Sequence, residues 1–150
     1  MLKTGDKAPE FSLISDKGEK VSLKDFKGKK VILYFYPKDD TSGCTKEACS
    51  FRDNIRIFEK KNAVIIGVSK DNTASHQKFK KKYDLPFILL SDENLDMIKA
   101  YDVWKEKSMY GKKYMGIERT TYIIDETGKI QEIYNKVKVD GHTEEILDKL

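Results

Sequence analysis

Cysteine, histidine and proline are scarce in this chain, which has two, two and three of them. Two cysteines cannot build the disulfide framework of a small secreted domain, and two cysteines with His76 and His142 at no finger-like spacing make a poor metal site. No metal or other cofactor is therefore expected. Long apolar runs are absent as well, since none approaches the roughly 20 residues of a membrane span. Met1 is not followed by the charged and then apolar pattern of a secretory leader. The expectation is a cytoplasmic protein with no membrane partner, in a compartment where a cysteine pair is reactive rather than structural.

Charge asymmetry is also missing. The 29 basic and 25 acidic residues leave a formal net charge of +4 that is spread along the sequence, so no nucleic-acid arm and no nucleic-acid partner are expected. The densest basic run, Lys78 to Lys82, is interrupted by Phe79 and reads as a solvated helix face, with a docking patch for an acidic partner as the alternative. What the chain does have is core-forming material: 39% hydrophobic and 11% aromatic residues in 150. That is enough for one domain over residues 1–150, burying about 70% of its unfolded surface.

Phe11 to Ile14 and Val21 to Leu23 flank Asp16-Lys17-Gly18 and predict an N-terminal β-hairpin. Val31 to Tyr36 is a continuous apolar run suited to a central strand covered on both faces. Ala48, Phe51, Ile55 and Phe58 mark one helix to about Lys60, with Cys44 four residues before Ala48 on the same stripe. A second strand, Ala63 to Ser69, leads to an Asp71-Asn72-Thr73 helix start and a helix with His76, Phe79 and Tyr83 on one face. A strand from Phe87 to Leu90 and a short helix through Met97, Ile98 and Tyr101 follow. Asp102 to Glu118 shows no clear period and reads as a long loop, functional or mobile. Thr120 to Ile124 and Ile130 to Tyr134 form a hairpin about Glu126-Thr127-Gly128, and Ile146, Leu147 and Leu150 mark a terminal helix. Alternating strands and helices with a late hairpin predict an α/β, thioredoxin-like fold with a mixed central sheet and helices on both faces.

Both cysteines lie between Val31 and Phe51, where strand gives way to loop and then helix. In open α/β sheets, ligands bind beyond the carboxyl ends of strands, and Pro37 to Gly43 falls there. A thiol in the first turn of a helix meets unpaired amides and the positive end of the macrodipole, which favour the thiolate, so Cys44 is the candidate nucleophile. Thr41 can bring its hydroxyl near the sulfur, Gly43 permits close approach of a small substrate, and Pro37 rigidifies the strand exit and shields the thiol. The plainer alternative is a strand-to-helix turn with a buried, inert cysteine. Positions i and i+5 of a helix lie roughly 8 to 9 Å apart at Cα, beyond the about 4.4 to 6.8 Å of a disulfide. Cys49 therefore suits a thiol that reaches Cys44 only after the helix unwinds. Arg119 alone reads as a surface strand residue.

Taken together, GDKAPEFSL at Gly5 to Leu13, YFYPKDDTSGCTKEAC at Tyr34 to Cys49, and EKSMYGKKYMGIERTTYIID at Glu106 to Asp125 resemble the peroxiredoxins. Within them the likeness is to the peroxiredoxin Q group, also called bacterioferritin comigratory proteins, and it spans nearly the whole chain. The resemblance implies a thiol-dependent peroxidase in antioxidant defence, acting on hydrogen peroxide and organic hydroperoxides. By the same resemblance Cys44 is the peroxidatic cysteine, Thr41 and Arg119 position the peroxide, Pro37 shields the pocket, and Cys49 is the resolving cysteine that forms a Cys44–Cys49 disulfide. The implied reductant is thioredoxin, with glutaredoxin as the alternative, and the implied assembly a monomer or weak homodimer. Two rival classes stand beside this: a general thiol-disulfide oxidoreductase or redox sensor, and a non-enzymatic binding or chaperone module with incidental cysteines.

Overall fold

A computed structural model describes every residue from Met1 to Leu150. The chain opens with an antiparallel pair, β1 (Ser12–Ser15) and β2 (Lys20–Ser22), closed through Gly18 at φ 77°. A 3-10 turn over Leu23–Phe26 leads into β3 (Lys30–Phe35), then α1 (Ser42–Asp53), α2 (Ile55–Lys60), β4 (Ala63–Ser69), α3 (Thr73–Tyr83), β5 (Ile88–Ser91) and α4 (Asp96–Ala100). The remainder is β6 (Trp104–Met109), β7 (Lys112–Ile117), β8 (Thr120–Ile124), β9 (Ile130–Tyr134) and α5 (His142–Leu147). Seven strands form one mixed sheet in the order β2-β1-β5-β4-β3-β8-β9. The central strands β3, β4 and β5 run parallel, and antiparallel strands flank them on both sides.

The apolar runs bury as their composition requires, because β3 sits mid-sheet with Val31 to Phe35 all enclosed. Its alternate residues feed two cores. Val31, Leu33 and Phe35 pack with Met97 and Ile98 of α4 on one face. Ile32 and Tyr34 pack with Cys44, Ala48, Phe51, Phe58, Phe79 and Ile146 from α1, α2, α3 and α5 on the other. Gly67 of β4 allows this second core to close, since a Cβ there would lie 2.9 Å from the Tyr34 ring. The ring fills the space and packs at a tilt against Phe51, their centroids 4.7 Å apart, which seats α1 against the sheet. No helix is long and apolar enough to cross a membrane.

Two expectations need correction. The helix foreseen to Lys60 is broken at Asn54, whose backbone (φ −111°, ψ 10°) leaves helical geometry while its side-chain amide donates to the Ser50 carbonyl. Asp102 to Glu118 is not a loop. It folds into a separate antiparallel hairpin, β6 with β7, turning through Tyr110 and Gly111 at φ 51° and 78°. Paired positive φ values are what a two-residue hairpin turn of this hand requires. The Lys78 to Lys82 face is mostly solvated, although Lys80 pairs with the buried Asp16 at 2.8 Å.

Candidate active site

Strand β3 carries the chain to the carboxyl end of the sheet, and Pro37, half-buried, opens the turn toward α1. Thr41 is the N-cap in extended conformation (φ −94°, ψ 158°), so Cys44 falls within the first helical turn. The Thr45 amide is the first to find a helical partner, the Thr41 carbonyl at 2.8 Å. The amides before it have no carbonyl a turn behind them and leave partial positive charge at the thiol's end of the helix. No acidic side chain in the first turn offsets it.

Arg119 reaches the thiol from the other side of the sheet's end, between β7 and β8. Its backbone is fixed locally: the Val137 amide donates to the Arg119 carbonyl at 2.9 Å, and the neighbouring Glu118 amide to the Val103 carbonyl at 2.8 Å. The guanidinium then splits its donors. Nη2 donates to Cys44 Sγ at 3.3 Å and Nη1 donates to Glu47 Oε1 at 2.7 Å. Gly43 gives this approach its room, because a Cβ there would stand 3.2 Å from Arg119 Nη2 and push the guanidinium back by a few tenths of an ångström. Gly43 was expected to admit substrate, and in the folded chain it makes room for the arginine.

Cys44 is 1% exposed and Glu47 2%. Burial works against the Arg119 charge, but Glu47 and Cys44 outweigh it and raise the guanidinium's pKa further. For Glu47 burial wins: it pushes the carboxyl up to about 7 against the pull of Arg119. Its second oxygen, Oε2, is buried without a hydrogen-bond partner. A carboxylate, a guanidinium and a sulfur therefore share one nearly dry site, where charge interactions are strong. Lys107 of β6 is half-buried close by, its stem 3.3 Å from where a Gly116 Cβ would be, and burial followed by the Arg119 charge lowers its pKa.

Thr41 is exposed and donates its hydroxyl to the Lys38 carbonyl at 2.8 Å, not to Cys44. That bond folds the loop back on itself and leaves the hydroxyl's lone pairs as acceptors. Cys49, half-buried on α1, is free, as is Cys44. Since α1 runs unbroken through both, their Cα atoms are set by helical spacing at roughly 8 to 9 Å, too far for a disulfide without unwinding. Cys44, Gly43 and Arg119 thus meet directly, Pro37 and Thr41 lie on the adjoining loop, and Cys49 stands apart on the helix.

Glu47 was not foreseen as part of this site. Its spacing three residues from Cys44 was the available signal, since i and i+3 share a helix face. A second cluster also escaped notice: Asp39, Asp71 and His76, whose nitrogen and carboxylate atoms lie within 4.8 Å of one another. Tyr36, Ser69, Ser75 and the Asp39 amide occupy its oxygens, so the cluster is an internal polar network whose donors are already engaged.

Comparison with known proteins shows the family and the fold. Residues 4–133 match the model of the AhpC/TSA family. The chain is 52% identical to peroxiredoxin Bcp of Bacillus subtilis over 149 residues, covering 99% of this chain and 95% of that one. A cysteine-to-serine variant of Xylella fastidiosa peroxiredoxin Q superposes with a TM-score of 0.94 at 38% identity, covering 99% and 95% of the two chains. The bacterioferritin comigratory protein of Xanthomonas campestris, solved in a trapped intermediate/ligand complex bearing on alkyl peroxide reduction, superposes at 0.88 with 39% identity over 92% and 88%. The mixed sheet with helices on both faces is the thioredoxin fold these structures share. The chain belongs to the AhpC/TSA family, among its peroxiredoxin Bcp and peroxiredoxin Q members.

Proposed function

We propose that the chain reduces hydrogen peroxide and organic hydroperoxides to water and alcohols through Cys44. The observation that carries this reading is the Arg119 fork, one donor on the Cys44 sulfur and the other on a buried carboxylate. A fixed cation there holds the thiolate ready and faces the charge that grows on the departing oxygen, with little reorganisation at the moment of reaction. The thiolate attacks the terminal peroxide oxygen in line, forming Cys44–SOH as the O–O bond breaks, and the other oxygen leaves as hydroxide or alkoxide and takes up a proton. Thr41 accepts from the peroxide hydroxyl, its own proton being engaged by Lys38. Pro37 keeps bulk water from the sulfur.

Cys49 then attacks the sulfenic sulfur, giving a Cys44–Cys49 disulfide and one water. Helical spacing makes unwinding of α1 a requirement of this step. A dithiol partner, thioredoxin or glutaredoxin, returns both thiols by exchange and carries away the disulfide. We place the protein in a reducing cytoplasm, as a monomer or weak homodimer. Intact mass after one equivalent of peroxide tests the reading. The native chain should lose two hydrogens, and Cys49→Ser should retain a sulfenic acid trappable by dimedone. An unchanged Cys44 thiol in both would overturn it.

A further inference from the structure

The loop from Pro37 to Thr41 belongs to the candidate site, yet its firmest anchors come from α3, an element with no other part in the chemistry. Asp39 is turned inward with its side chain 3% exposed, facing His76, whose side chain is 0% exposed. Asp39 Oδ2 receives His76 Nδ1 at 2.7 Å and the Ser75 hydroxyl at 2.8 Å, while Oδ1 receives the Tyr36 hydroxyl at 2.5 Å. The Asp39 amide donates to Asp71 Oδ2 at 2.8 Å, and Asp71 is itself held by the Ser69 hydroxyl at 2.7 Å. The next residue, Asp40, has a left-handed backbone (φ 57°) and is gripped by Lys82 and the Tyr83 hydroxyl at 2.8 and 2.7 Å.

We propose that the buried Asp39–His76 pair is a positioning device that fixes the peroxide-facing loop independently of α1, so that Thr41 and the hinge before Cys44 stay in place whichever state the helix adopts. His76 is thus a positioning residue, and this role rests on the peroxidase reading above. Both ring nitrogens face acceptors, Asp39 Oδ2 and the Leu90 carbonyl, the latter at 2.9 Å. Each nitrogen must carry a proton to satisfy them, which makes the ring an imidazolium. The charged or titratable groups facing it are Asp39 from the loop, Asp71 from the turn before α3 and Tyr36 from just after β3.

Burial opposes the ring's charge, but the bond and charge of Asp39, the Leu90 carbonyl and Asp71 outweigh it and raise its pKa above the ordinary histidine value. A group with a raised folded pKa stabilises fully below its unfolded value of about 6.5, and that contribution fades as pH rises through the folded value. The clamp is therefore firmest at low pH and loosens as pH rises through the ring's raised folded value.

The test compares the reduced chain's rate constants toward hydrogen peroxide and iodoacetamide, since alkylation needs only the thiolate whereas peroxide reduction needs the positioned loop as well. Their ratio cancels thiolate titration. Nitrogen-15 NMR of the native chain should show a doubly protonated His76 at pH 7, and the ratio should fall as that ring titrates. His76→Gln should lower the ratio by roughly tenfold, the order expected for a sub-ångström misplacement, and should remove its alkaline step. Ser75→Ala, which keeps the pair, should lower it less. A neutral, singly protonated His76 at pH 7, or a folded His76→Gln chain with an unchanged ratio, overturns the clamp alone. If His76→Gln does not fold, the native titration decides. A native chain inert to peroxide overturns the peroxidase reading and the clamp with it.

Discussion

Glu47→Gln separates the electrostatic cost of the site from its geometry. The carboxyl is 2% exposed, and burial raises its pKa from 4.5 to about 7 even with Arg119 bonded to it at 2.7 Å. A carboxylate with a raised folded pKa binds its proton more tightly folded than unfolded, so stability falls as pH climbs from the unfolded value to the folded one and is flat above it. A displacement of about 2.5 units at about 1.4 kcal/mol each amounts to roughly 3 kcal/mol, all of it lost between about pH 4.5 and 7. Glutamine keeps an oxygen for Arg119 Nη1 and cannot titrate. Urea unfolding of both reduced chains at intervals from pH 4.5 to 8 measures the effect. The stability of Glu47→Gln relative to the native chain should improve by about 3 kcal/mol across that range, with similar denaturant slopes. Parallel pH profiles would refute the reasoning, because they would mean that Arg119 fully offsets the burial of Glu47.

Two further substitutions separate reactivity from stability. Gly43→Ala adds a Cβ at 3.2 Å from Arg119 Nη2 in a residue with ordinary helical backbone. The melting temperature should hold or rise, as Gly→Ala at a compatible site contributes about 0.4–1 kcal/mol, while the peroxide rate constant drops roughly tenfold as the guanidinium is displaced. A rate equal to native would show that the Nη2 contact is dispensable. Thr143→Val removes the partner of the Ser50 hydroxyl, 2.6 Å away, which ties α1 to α5. Losing about 1 kcal/mol should increase opening of α1 about fivefold. Stopped-flow disulfide formation should accelerate, and sulfinic acid should accumulate more slowly under excess peroxide. Slower resolution in this variant would contradict the need for unwinding.

The parts legible in the sequence were those where a local pattern and the tertiary environment agree. Val31 to Tyr36 is apolar throughout and lies mid-sheet, and the turns at Gly18 and Gly128 carry the positive φ their glycines announce. The β6–β7 hairpin was illegible because only its base is well covered, with Ile117 buried and Trp104 packed against the core: Met109, Tyr110, Tyr114 and Met115 are all exposed, and alternation appears only where one face is buried. The break at Asn54 was hidden because Ile55 and Phe58 continue the apolar stripe of Ala48 and Phe51 as a straight helix would. Glu47 looked like any solvent-facing helix carboxylate, since its partner Arg119 lies 72 positions away. His76 was read as one member of an apolar face, and its ionic role depends on Asp39, which arrives from a different element. Glu47 and His76 depend on contacts between segments remote in sequence, and residue periodicity carries no record of such contacts.

The two proposed steps ask opposite things of α1. Activation of Cys44 needs the folded first turn, whereas bonding to Cys49 needs that turn undone. The extent of unwinding is bounded by what each residue buries. Phe51 is fully buried, 4.7 Å from the Tyr34 ring and 5.9 Å from that of Phe58, so exposing it would cost about 1.5–3 kcal/mol in transfer alone. Lys46 holds only an exposed ion pair with Asp140, worth little, and Cys49 is half-buried with no bonded partner of its own. Opening from Ser42 through Ser50, which releases the Ser50–Thr143 bond while Phe51 stays seated, is therefore the least costly route. Asp39 and Asp40 fix the near end of that segment and Phe51 the far end, which confines the transition to about two turns of helix. Within it, Glu47 leaves its buried site and regains water. The carboxylate that destabilises the closed helix above its titration range thus favours the opening that resolution requires.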